Sequence, residues 1–171
     1  KDECGREINL IENILSLQRL EAGVQTFDFE VIYFQTSLAK VVEPFQERAL
    51  SRQQILQVDI PTDLPSIVSD CASVERIMAE LLNNACKYTP PDEHITLTAR
   101  VNKEKIQLKV CNSGVEIPQQ ELKRIFDKFY RVPSHDPWKQ GGTGLGLALV
   151  QKLCEQLGGG IAAESGNGKT S

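Results

Sequence analysis

The sequence lacks an excess of basic charge, a long apolar run and any paired cysteine motif, and each absence removes a class of function. Lys and Arg number 19 against 23 Asp and Glu, for a net charge of −4, so no positive field exists to collect a phosphate backbone or an anionic membrane surface. Nucleic acid is not an expected partner. No stretch approaches the roughly 20 apolar residues of a membrane span, and the charged first residues do not suit a signal peptide. These residues are therefore expected in the cytoplasm and off the membrane, with any membrane anchor lying upstream. Cys4, Cys71, Cys86, Cys111 and Cys154 are odd in number and scattered, with no Cys-x-x-Cys pair. They read as small buried hydrophobes in a reducing compartment rather than a zinc site or disulfide framework. What is present is a chain of 171 residues, 40% apolar and 25% charged, enough for one good core and a short appendage.

Periodicity organises the chain. From Glu7 to Leu20, Ile8, Leu10, Ile11, Ile14, Leu15, Leu17 and Leu20 cover well over half of a helix circumference, and Gly23 stops the helix. Such a helix is either a core helix of this domain or one member of a bundle whose partners lie elsewhere; its all-round apolar surface favours the bundle. Phe27 to Phe34 is β-prone, and Ser37 to Ser51 reads as an amphipathic helix through Leu38, Val41, Val42, Phe45 and Leu50. Pro44 inside it predicts a kink or a late start. Ile55 to Ile60 alternates as a strand, followed by a loop bracketed by Pro61 and Pro65.

A strong helix runs from its cap Asp70 to Tyr88, with Val74, Ile77, Met78, Leu81, Leu82 and Ala85 on one side. Two alternating runs, Ile95 to Val101 and Ile106 to Val110, make a hairpin. Glu121 to Phe129 predicts a short helix, Arg131 to Gln140 a polar loop, Leu145 to Leu157 a helix entered through glycines, and Ile161 to Ala163 a last strand. The regular β-α-β alternation of a doubly wound sheet is missing, so an antiparallel-rich sheet with helices on one face is expected.

Two features carry possible chemistry. Opposite its apolar side, the helix over Asp70 to Tyr88 presents Glu80, Asn84 and Lys87 in one row, flanked by Asn83. The row suits either a solvated face of Glu and Lys or a Mg²⁺ and phosphate site, since an Asn oxygen is a hard neutral ligand and a lysine one turn on can neutralise phosphates. Adjacent asparagines in mid-helix, where Asn is a poor helix former, favour the second. The run Gly141-Gly142-Thr143-Gly144-Leu145-Gly146-Leu147 leads into an apolar-periodic helix, which offers free N–H groups to an anion. It is neither a P-loop nor a GxGxxG turn after a strand. Val110 to Pro118 ends a strand in Asn112-Ser113-Gly114, an ordinary turn or a third wall of the same site.

Together these segments resemble the catalytic ATP-binding domain of sensor histidine kinases, in the superfamily that also holds DNA gyrase and Hsp90. Glu80 to Pro90 resembles the asparagine box, Asn112 to Ile117 the first glycine box, Ile125 to Arg131 the phenylalanine box and Gly141 to Leu149 the second glycine box, in the family's order over about Val24 to Ser171. Residues 7–23, ending Arg19-Leu20-Glu21-Ala22-Gly23, resemble the end of a second dimerisation helix. The resemblance implies an α/β two-layer sandwich of the Bergerat type, with residues 1–23 as the end of that helix and 24–171 as the catalytic domain. A further strand would follow Gly168 to Ser171. It implies transfer of the γ-phosphoryl group of ATP to a histidine on the first dimerisation helix, in a box not found in this sequence. His94 and His135 match no such position.

Carried over by residue, the resemblance makes Asn84 the Mg²⁺ ligand, with Glu80 beside it as base or outer-shell group. Lys87 becomes a phosphate contact, and Tyr88 a neighbour of ribose or adenine. Asn112 and Gly114 take the adenine end, and Arg131 opens a lid over Arg131 to Gln140. Gly142, Thr143, Gly144, Leu145 and Gly146 wrap the phosphates. A response regulator receiver domain and a second copy of the chain, joined through the N-terminal helix, are the implied partners. Departures from the pattern are Asn112 for the usual aspartate, Glu116 for the second glycine and Glu80 for the common asparagine. They keep two rivals open: a nucleotide-sensing scaffold with a degenerate first glycine box, and a gyrase-like ATPase.

Overall fold

The structure, a computed structural model, describes residues 2–133, 142–166 and 168–171, with side chains from Glu7 onward. The elements are α1 (Asp2–Glu21), β1 (Phe29–Ile32), α2 (Phe34–Ser51), β2 (Ile55–Asp59), β3 (Ile67–Asp70), α3 (Cys71–Tyr88), β4 (His94–Asn102), β5 (Lys105–Ser113), α4 (Gly146–Gln156), β6 (Ser165–Gly166) and β7 (Lys169–Thr170). Five strands form one sheet in the order β2-β4-β5-β7-β6. Among the described strands only β2 and β4 pair in parallel, because β3 and α3 intervene and carry the chain back across. The predicted mixed, largely antiparallel sheet is therefore present.

Alternation along β4 sends Ile95, Leu97 and Ala99, all fully buried, into the helical layer, where α2 packs on α3 and α3 on α4. Their core partners are Leu38 of α2, Met78 and Leu82 of α3, and Leu149 and Val150 of α4. A separate two-stranded ribbon pairs β1 with β3, Phe29 opposite Asp70 and Ile32 opposite Ile67. No described helix is long and apolar enough to cross a membrane.

α1 ends as its glycine requires. Gly23 has φ +67°, and Val24 N–H donates to the Arg19 carbonyl while Gly23 N–H donates to Leu20, a Schellman closure. Leu17 and Leu20 are buried in the domain core, whereas Ile8, Ile11 and Leu15 are exposed. Only part of the apolar circumference is thus used by this domain.

Several expectations need correction. α2 begins at Phe34, ten residues before Pro44, so the proline does not delay the helix; Pro44 is exposed, where the carbonyl it leaves unbonded faces solvent. Leu50, assigned to the buried face, is 78% exposed, and Ala49 is buried in its place. The loop after Pro61 gives way to β3, a strand of four residues too short to show a period. Residues 121–130 form successive turns, with Arg124 N–H bonded to Glu121 and Asp127 N–H to Arg124, instead of a helix. Residues 161–163 are not a strand: pairing starts where Glu164 and Ser171 exchange both backbone hydrogen bonds.

Asp70 joins the ribbon to α3. Its Oδ1 accepts from Ser73 N–H at 2.7 Å and its Oδ2 from Asp28 N–H at 2.7 Å, so one carboxylate caps the helix and closes the turn into β1. Burial alone would raise its pKa, but these hydrogen bonds outweigh burial and hold it below the usual aspartate range. A carboxyl depressed in this way stabilises the fold above its unfolded pKa and loses that contribution as it protonates. Asp70→Ala is expected to cost about 1–2 kcal/mol at neutral pH. The gap to the wild type should narrow as the pH falls below roughly 4, as read by urea unfolding at each pH.

Candidate functional site

The apolar side of α3 is locked into the core through Met78, Leu82 and Cys86, all fully buried, which turns Glu80, Asn84 and Lys87 along its opposite edge. The two adjacent asparagines part company here. Asn83 Oδ1 accepts from Arg48 Nη1 of α2 at 2.7 Å and so ties α3 to α2. Asn84 has no side-chain hydrogen-bond partner among the described residues, which leaves its oxygen available. Glu80 is partly buried, and that burial pushes its carboxyl above the usual glutamate range while nearby Arg76 pulls it back. Lys87 Nζ lies 4.7 Å from the centroid of the Tyr88 ring, close enough for a cation–π contact.

Of the alternate glycines of the loop entering α4, Gly142 and Gly146 face α3 and Gly144 faces the turn segment. A methyl group at Gly142 would sit 2.1 Å from Lys87 Nζ and 3.9 Å from the Tyr88 hydroxyl. At Gly146 it would lie 2.8 Å from Glu80 Oε2. Gly144, with φ +70°, would meet the backbone of Phe129 at 2.7 Å and the Tyr130 carbonyl at 2.9 Å, and its own carbonyl accepts from Phe129 N–H at 2.9 Å. At Gly144 backbone sterically excludes a Cβ, whereas a Cβ at Gly142 or Gly146 would have to displace the ends of the Lys87 and Glu80 side chains. Among the described residues no side chain caps the N-terminus of α4, so its first N–H groups are placed to face an anion. Leu145 is 1% exposed, so only its backbone can serve such a site; the Thr143 hydroxyl accepts from Leu145 N–H at 3.3 Å.

The end of β5 supplies the third wall. Asn112 stands opposite Ile95 on β4 and Thr170 on β7. At Gly114, φ +76°, a methyl would collide with Glu93 Cγ at 2.8 Å and crowd Pro90 Cδ at 3.1 Å, so this turn is seated on the segment leaving α3. Ser113 Oγ donates to Glu93 at 2.5 Å and accepts from His94 N–H at 2.8 Å. Glu116, the departure from the second glycine, accepts from Gly168 N–H and so pins the turn to the approach of β7.

The structure therefore brings Lys87 and Tyr88 against Gly142 and Glu80 against Gly146, with Asn84 between them on the same edge of α3, and Gly114 against the exit from α3. Arg131 is exposed at the end of the turn segment. Gly141, His135 and the expected lid over 134–140 lie outside the described residues. Cys71, Cys86, Cys111 and Cys154 are free, Cys86 buried and the others partly so. Arg48, Glu93 and the left-handed Phe129 (φ +62°) act through long-range contacts that leave no local pattern, which is why sequence reasoning missed them. A cleft of about 380 Å³ elsewhere, lined by Ser16, Leu20, Phe27, Asp70, Arg76 and Leu149, lies at the junction of α1 with the core. Of the carboxylates lining it, Asp70 is already engaged on both oxygens.

Comparison with known proteins gives a consistent result. Residues 69–171 match the family described as histidine kinase-, DNA gyrase B-, and HSP90-like ATPase. The adaptive-response sensory kinase SasA of Synechococcus elongatus is 35% identical over 169 residues, covering 96% of this chain and 43% of that protein. A structure of full-length ShkA in complex with AMPPNP superposes with a TM-score of 0.84 at 26% identity, over 98% of this chain and 35% of that one. Histidine kinase ThkA in complex with the response regulator TrrA superposes with a TM-score of 0.71 at 21% identity, over 99% of this chain and 50% of that one, a likeness of fold. The chain spans less than half the length of the curated relatives it matches.

Gly144 combines a left-handed φ with contact to immovable backbone, so Gly144→Ala is expected to cost about 2 kcal/mol or more. Gly166, with nothing within 4 Å of the added methyl, is the control, and Gly166→Ala should change stability by less than about 1 kcal/mol. Paired denaturant melts measure both.

Proposed function

The chain belongs to the histidine kinase-, DNA gyrase B- and HSP90-like ATPase family, and on that premise we propose that it is the catalytic part of a sensor histidine kinase, binding Mg-ATP. The observation that carries this reading is the placement of Lys87 against Gly142 and of Glu80 against Gly146, with Asn84 on the same edge of α3 between them. Lys87 occupies the space a side chain at 142 would need, and a cation set against exposed glycine backbone suits a polyphosphate.

The donor set also fits magnesium. Asn84 offers an uncommitted amide oxygen and Glu80 a carboxylate one turn away, few protein ligands for an ion that keeps several waters and takes phosphate oxygens. When bound, Mg²⁺ neutralises charge on the phosphates. Lys87 then holds the phosphate chain from α3, the N–H groups at the start of α4 hold it from the other side, and Tyr88 and Asn112 flank the nucleoside. Asn112 can accept from the adenine amino group through its side-chain oxygen, as the usual aspartate would.

In the transfer itself, a histidine nitrogen attacks the γ-phosphorus in line as its bond to the bridging oxygen breaks and ADP leaves. The chain's residues position the nucleotide and stabilise charge on the moving group. Residues 1–23 would be the end of a dimerisation helix, a role supported by the exposed Ile8, Ile11 and Leu15, and 24–171 the catalytic domain. A second copy would meet α1. A response regulator receiver domain would take the phosphate onward, in keeping with the complex known for ThkA, and these residues would work in the cytoplasm.

Glu80 favours a second reading, hydrolysis by water activation, because its raised pKa moves it toward the range of a general base. The two are separated by incubating the full-length protein with γ-labelled ATP. Acid-labile, alkali-stable label on a histidine, lowered about 100-fold or more by Asn84→Ala, is the expected result. Fast release of inorganic phosphate without phosphohistidine would replace it with the ATPase reading.

A further inference from the structure

Gln54 lies between α2 and β2, outside every motif of the site, and is 5% exposed. Its Nε2 donates to the Cys86 carbonyl at 2.9 Å and to the Thr89 carbonyl. These belong to the end of α3, where the last carbonyls of a helix lose their intrahelical partners. Its Oε1 has no partner among the described residues, so the amide is engaged through its nitrogen. The Gln54 backbone is itself fixed, its N–H bonded to the Ala49 carbonyl at 2.8 Å.

The neighbours of Gln54 extend the same clamp. The Gln53 carbonyl, at φ +59°, accepts from Asp92 N–H at 2.7 Å, and Ile55 N–H donates to Glu93 at 3.0 Å. Residues 53–55 thereby grip the chain from Cys86 to Glu93 along its length. That stretch carries Lys87 and Tyr88, then Pro90 and Glu93, which form the seat under Gly114. The direction in which the chain leaves α3 decides where Lys87 and Tyr88 stand and where the turn after Asn112 rests.

We propose that Gln54 is a positioning residue for nucleotide binding: its amide sets the exit of α3 and so holds Lys87 and Tyr88 in register with Gly142 and with the turn at Gly114. The proposal rests on the nucleotide reading of the site. It differs from a core-filling role because an apolar side chain of equal length would fill the same space and leave both carbonyls without a donor.

Gln54→Met tests it on this chain, at a temperature where circular dichroism shows the variant fully folded. Weakening of Mg-ATP binding by about tenfold in calorimetric titration is expected, together with faster hydrogen exchange at the Thr89 amide and unchanged exchange in the β4–β5 hairpin. A merely structural role would quicken exchange in the hairpin as well and leave the affinity of the folded protein within about twofold; that outcome overturns the proposal. Should the methionine variant fail to fold, Gln54→Asn, which keeps an amide but shortens its reach, is judged by the same two readouts. If the wild-type chain itself does not bind Mg-ATP, the nucleotide reading fails, and the exchange rates at Thr89 still decide whether Gln54 sets the end of α3.

Discussion

Helix α3 is clamped at both ends by polar side chains that tie it to distant parts of the chain, and the geometry of the site follows from that constraint. Asp70 caps its first turn and takes the Asp28 amide, while Gln54 takes the carbonyls of Cys86 and Thr89 at the other end. Between the clamps, Met78 and Leu82 bury one side and Arg48 holds Asn83. A helix fixed in tilt and rotation has no freedom to turn Glu80, Asn84 and Lys87 away from the glycine loop. Specificity of position comes from hydrogen bonds that cost little to make and much to leave unmade in a buried place.

The opposing wall obeys a different rule. Gly144 stands where the Phe129 backbone leaves no room for a Cβ, and a Cβ at Gly142 or Gly146 would displace the ends of Lys87 and Glu80, so the loop lies against α3 and against the turn segment at once. Its close approach to Phe129 links the site to residues 121–130, and Lys128 of that segment pairs with Glu21 at the end of α1. The pair is about half exposed and contributes little stability. It nevertheless shows that one short turn region touches both the glycine loop and the N-terminal helix.

Much of this was legible in the sequence, for physical reasons that differ by element. α3 and the hairpin carry strong periods, 3.6 and 2, over long enough runs that burial follows directly, as Met78, Leu82, Ile95 and Leu97 show. Gly23 announced its helix end because only a left-handed residue closes a Schellman turn cheaply. The row of Glu80, Asn84 and Lys87 was visible from spacing. By contrast β3 and β6 are too short to show any alternation, and 121–130 mimics a helix because consecutive turns share local hydrogen bonding with one. Leu50 looked buried because periodicity cannot say where a helix outruns its core. Arg48, Gln54 and Glu93 were silent because each acts across a long stretch of chain on groups that no local pattern identifies.

We propose that the edge of α3 and the glycine loop form one magnesium-dependent nucleotide site. Calorimetric titration of this chain with ATP, in the presence and absence of Mg²⁺, for wild type and Asn84→Ala, tests it most directly. Saturable binding at one site that requires Mg²⁺ and disappears in Asn84→Ala is the predicted result. Absence of binding, or binding that neither magnesium nor the loss of the Asn84 amide alters, would contradict the claim.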